Sequence, residues 1–113
     1  MLGREEILKA DERLKLVKVS VPEWTTEGAK DPHVWVRQLS AGVALSVAEK
    51  FSDEDADKSE IVDWCIIGVC DDKGEPIFAE TDRPALLRGP VAPLMRCSQA
   101  IADINGLGDL EGN

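Results

Sequence analysis

The apolar residues of this chain change period part-way along, and that change constrains the fold more than any other feature. From Leu14 to Val21 they alternate, with Val17, Val19 and Val21 on one side and Lys18 and Ser20 on the other, the period of two of a half-buried strand. Val34-Trp35-Val36-Arg37 alternates again with a β-branched bias. From Val43 the spacing becomes three and four, through Ala44, Leu45, Val47, Ala48 and Phe51, which is the signature of a helix. Pro22 ends the first strand, and the two strands form a hairpin joined by a loop of about ten residues from Glu23 to Pro32. The pattern predicts an α+β domain in which a small β-hairpin or sheet is packed by three to five helices.

Further elements follow from local signals. Residues 3–12 read as a short helix with Gly3 as N-cap, Glu5 and Glu6 in its first turn, and Leu2, Ile7 and Leu8 on one face. Ser40 caps the helix that contains Val43. Residues 52–60 carry five acids and one lysine ahead of an apolar run from Ile61 to Cys70. Acids in that position favour a helix over about 57–69, while a buried strand leading into a hairpin through residues 61–78 stays open as the other reading. Asp71 to Gly74 is a turn in either case. Thr81 or Asp82 caps a short helix with Pro84 in its first turn, and Gly89-Pro90 separates it from a last helix beginning near Pro90. Val91, Leu94, Cys97, Ile101 and Ile104 make one stripe along that helix, Asn105-Gly106 stops it, and residues 108–113 form a short acidic tail.

At 113 residues the chain is the size of a single domain, 1–113. Its 22 acidic and 13 basic side chains leave a net charge of −9, which disfavours nucleic acid as a partner. The opening Met1-Leu2-Gly3-Arg4-Glu5-Glu6 is not a secretory signal, and no apolar stretch approaches the ~20 residues that span a bilayer, so a soluble protein with no membrane partner is expected. Cys65, Cys70 and Cys97 are odd in number and lie in apolar surroundings, as buried, reduced thiols in a cytoplasm would.

The acidic run fails as a calcium loop. Asp53, Asp55 and Asp57 take its first, third and fifth positions, but Lys58 stands where glycine is needed and Trp64 where a bidentate glutamate is needed. Zinc is disfavoured because His33 is the single histidine and the cysteine spacings do not form a ligand pair with it. His33 opens a strand and reads as a solvent-exposed residue, and neither a G-x-S-x-G elbow nor a phosphate-binding glycine loop is present. No catalytic residue, metal ligand or cofactor is therefore expected. Of the three tryptophans, Trp24 is expected partly exposed and Trp35 and Trp64 in the core. Trp24, with Val91, Leu94 and Ile101 of the last stripe, are the candidate partner-binding residues, the stripe being core first and partner surface second.

Met1-Leu2-x-Arg4-Glu5-Glu6-Ile7-Leu8-x-Ala10-Asp11, the strand end Val19-Ser20-Val21-Pro22-Glu23-Trp24, and Val69-Cys70-Asp71-Asp72-Lys73-Gly74-Glu75-Pro76-Ile77-Phe78 with Thr81-Asp82 make the chain resemble the tail assembly chaperones of long-tailed bacteriophages. Ile104-Asn105-Gly106-Leu107 before the acidic tail is similar as well, whereas Gly3 replaces the usual Ser or Thr cap and Pro84, Pro90 and Pro93 crowd a region that is normally helical. The resemblance implies a non-enzymatic factor of the host bacterial cytoplasm, absent from the mature virion, that binds the tape measure protein and keeps it soluble. It further implies recruitment of the tail tube protein through a longer frameshifted form, and possible self-association. A minor tail or head-tail completion protein, or an acidic DNA-mimic inhibitor, are the alternatives.

Overall fold

The computed structural model describes residues 1–25, 28, 30–51 and 60–107. Among these, strands β1 (Leu16–Ser20), β2 (His33–Arg37) and β3 (Val69–Cys70) form an antiparallel sheet in the order β1-β2-β3. Helices α1 (Arg4–Leu8), α2 (Ala41–Phe51), α3 (Glu60–Gly68), α4 (Arg83–Arg88) and α5 (Val91–Ile104) accompany it, with 3₁₀ segments at Ala10–Arg13, Pro22–Trp24 and Glu80–Asp82. The molecule is α+β, as the change of period predicts.

Register decides which sheet face is covered. Val17 lies opposite Val36, Val19 opposite Val34, and Val36 opposite Val69, so these valines share one face. Helix α5 packs on β1 and β2 and also on α3. Between them lies a single buried cluster that includes Val19, Val36, Val62, Trp64, Leu94 and Ile101. Lys18 lies opposite Trp35 on the other face, where Ser20 and His33 also point. Trp35 is consequently half-buried there and not in the core, a correction to the expectation, while Trp64 is fully buried. The alternation runs past the edge of the helical cover at Val17, which is exposed although Val19 and Val21 are buried.

Both readings of residues 61–78 hold in part. Helix α3 ends at Gly68, one residue short of the expected boundary, and Val69 and Cys70 turn into β3 because β2 offers them a ladder. Cys70 bridges Pro76, and the Ile77 N–H donates to the Val69 carbonyl at 3.4 Å, which closes a short hairpin about Asp71 to Gly74. Residues 57–59, the rest of the acidic run from residue 52, and the tail 108–113 lie outside the described residues. The N-terminal helix is shorter than 3–12: its α-helical part ends at Leu8, a 3₁₀ turn follows, and no residue of α1 is buried.

Three contacts join elements far apart in sequence. Arg96 donates to the Ser20 carbonyl at 2.8 Å and forms a two-pronged pair with Glu23 at 3.0 and 2.8 Å, pinning α5 to the end of β1. Arg83 pairs with Asp63 of α3 and with Glu80, which fixes α4. The Leu39 N–H donates to Asn105 Oδ1 at 2.7 Å, tying the end of α5 to the junction of β2 and α2. Helix α5 stops as expected: Gly106 has φ of 72°, Leu107 N–H donates to the Ala102 carbonyl and Gly106 N–H to that of Asp103, the Schellman arrangement.

Candidate docking groove

A groove of about 530 Å³ runs between the Pro22–Trp24 segment, residues 77–78 and α4. Pro22 ends β1 and opens a 3₁₀ turn in which Trp24 N–H donates to the Val21 carbonyl at 3.0 Å, so the indole is held against the molecule and half-buried. The neighbouring Glu23 is locked by Arg96, whose hydrogen bonds hold its carboxyl down to about pH 2 in pKa. Trp24 meets Phe78 edge to face, with ring centroids 5.7 Å apart and planes at 81°.

Phe78 is placed by the turn before it. The Asp71 carboxylate accepts from the backbone N–H groups of Lys73 and Glu75 at 2.8 and 3.0 Å, and these bonds lower its pKa. On the other side, the Ala79 N–H donates to the Asp82 carboxylate at 2.7 Å, turning the chain into α4. Pro84 sits in the first turn of α4, the Gly89-Pro90 break ends it, and Ala85 and Leu86 form the wall between. Val34 supplies the floor from β2.

The sequence-based candidates are divided by this arrangement. Trp24 lines the groove. Val91 is exposed at 65% of its surface one residue beyond Pro90, the last residue to line it. Leu94 and Ile101, at 5% and 0%, belong to the core against the sheet and α3 and present no surface to a partner in this fold. Ile77, Phe78, Leu86 and Pro90 line the groove as well, and the sequence marks them only faintly, by an apolar pair after a turn and a Gly-Pro break, neither of which says what it faces.

The groove offers apolar walls and one carboxylate, Asp82, and so holds side chains by exclusion of water. A smaller depression of about 350 Å³ adjoins it through Val34 and Ile77 and is also lined by His33, Trp35, Asp71 and Asp72. The His33 ring contacts the Asp31 carbonyl through Nδ1 at 2.7 Å. The three thiols are buried, and burial pushes all of them up, Cys97 to about 11, so they stay protonated. Cys65 Sγ donates to the Leu94 carbonyl at 3.4 Å. Among the described residues no group of three or more His, Cys, Asp or Glu is placed to hold a metal ion, and no helix is long and apolar enough to cross a membrane.

The chain is similar to the solved structure of the bacteriophage HK97 tail assembly chaperone, with a TM-score of 0.55 and 22% identity over 90% of this chain and 98% of that one. No protein-family model and no curated protein matches it. At that identity the likeness establishes a shared fold.

Proposed function

We propose that this protein is a non-enzymatic tail assembly chaperone that binds a phage tape measure protein, keeps it soluble and helps recruit tail tube subunits. The observation that carries the reading is the fold shared with the HK97 tail assembly chaperone, which extends over 98% of that chain. The groove agrees with it, because a covering role needs apolar surface that the molecule's own core leaves uncovered. A tape measure protein is a long helical chain whose apolar faces self-associate until tube subunits surround it, and a partner of net charge −9 that occupies those faces keeps the complex dispersed. The chaperone then acts in the host cytoplasm and is left out of the particle.

Co-expression with the tape measure protein tests this. The long protein is expected in the soluble fraction and co-purifying with this chain. Equal solubility in its absence overturns the reading, as does recovery of this chain in purified virions by mass spectrometry, the outcome for a minor tail or completion protein.

A further inference from the structure

We propose that the groove between Trp24, Phe78 and α4 takes an amphipathic helix whose apolar stripe is flanked by lysine or arginine. The inference rests on the reading above that the clients of this chain are helices, and it adds where they dock and which ones are preferred. Trp24, Val34, Phe78 and Leu86 give the groove an apolar lining, and its volume of about 530 Å³ is open enough for side chains spaced at i, i+3 or i+4 and i+7.

The wall favours a helix over an extended peptide. Ile77 N–H already donates to the Val69 carbonyl and Ala79 N–H to the Asp82 carboxylate, so an added strand finds those donors taken. A helix brings its own backbone bonds and needs only side-chain contact.

Charge selects the flanks. Asp82 lines the groove, and the surface continues through Val34 and Ile77 to Asp71 and Asp72, with His33 the single basic residue lining either hollow among the described residues. Two guanidiniums of the adjoining elements are committed, Arg83 to Glu80 and Asp63 and Arg96 to Glu23 and the Ser20 carbonyl. Lys73 and Arg88 stand exposed at the turn and at the end of α4, and neither lines the groove. Cationic side chains beside the client's apolar stripe therefore meet carboxylates, whereas acidic ones are repelled.

The test uses two fluorescein-labelled helical peptides of about 18 residues, ~27 Å long, with the same leucine stripe and either lysine or glutamate flanks. Titrated with the full chain, the lysine peptide is expected to bind at least tenfold more tightly than the glutamate peptide, and to weaken as salt rises. Ala85 is exposed on the groove wall, so Ala85→Arg blocks the groove without entering the core, and arginine is a good helix former. This variant is expected to bind the lysine peptide more than tenfold more weakly than the parent with an unchanged circular dichroism spectrum. Equal binding of the two peptides, or by Ala85→Arg and the parent, overturns the proposal. Co-expression separates it from the reading it rests on: an Ala85→Arg chain that still solubilises the tape measure protein sinks the groove alone, while a parent chain that binds the lysine peptide and fails to solubilise sinks the chaperone role alone.

Discussion

Gly68 ends α3 where that helix crosses α5, and a Cβ there would lie 2.5 Å from Ile101 Cδ1 and 2.8 Å from its Cγ1. Ile101 is fully buried and cannot swing away. Alanine's helical preference over glycine, at most about 1 kcal/mol and less at a last helical residue, opposes an overpacking cost of about 1–3 kcal/mol. Gly68→Ala should thus lose about 1–2 kcal/mol, read as a fall in Tm of several degrees. Adding Ile101→Val, which removes Cδ1, should cost less than the sum of the two changes in a double-mutant cycle. The sequence marks Gly68 as a glycine inside an apolar run but not what it faces, because its neighbour lies 33 positions on. Asp71 is the opposite case: its partners are two and four residues away, and the turn is legible from residues 71–74 alone. The groove divides in the same way. Trp24 beside Pro22 announces partial exposure, whereas Phe78, Leu86 and Val34 become one surface only when three separate segments meet.

Among the elements, helices α2 and α5 and strands β1 and β2 follow from their apolar periods, and α5 stops at the Asn105-Gly106 signal. The passage from α3 to β3 does not, since a buried run of mixed β-branched residues suits either state and pairing with Trp35 and Val36 decides it. Helix α1 shows another limit of pattern reading. Its apolar spacing promises a buried face, yet Leu2, Ile7 and Leu8 are all more than half exposed, because periodicity states that a face exists and not that the chain covers it. Five helical residues have little stability of their own. Deleting residues 1–8 should therefore change stability by under about 1 kcal/mol. A denaturant-unfolding comparison checks this, and a larger loss would mean that the segment is docked.

At the scale of the whole molecule, the Arg96–Glu23 pair joins the last helix to the hairpin across 73 positions of sequence. The pair holds the folded Glu23 pKa at about 2, below its ordinary 4.5. Its stabilisation is then fully present above about pH 4.5 and is lost as the pH falls toward 2. Glu23→Gln should lower Tm at pH 7, and its gap from the parent should close between pH 4.5 and 2, with thermal melts across that range as the measurement. Asp31, beside Lys18, and Asp71 are lowered as well, so the parent itself should lose stability over the same acid range. Helix α5, with its 14 residues, is about 21 Å long. Pro90 at its start borders the groove, and Asn105 at its end is clamped to the β2–α2 junction. Leu107, two residues past that clamp, accordingly lies about a helix-length from the groove, so a dye or affinity handle fixed at this residue leaves the Trp24–Phe78 hollow open.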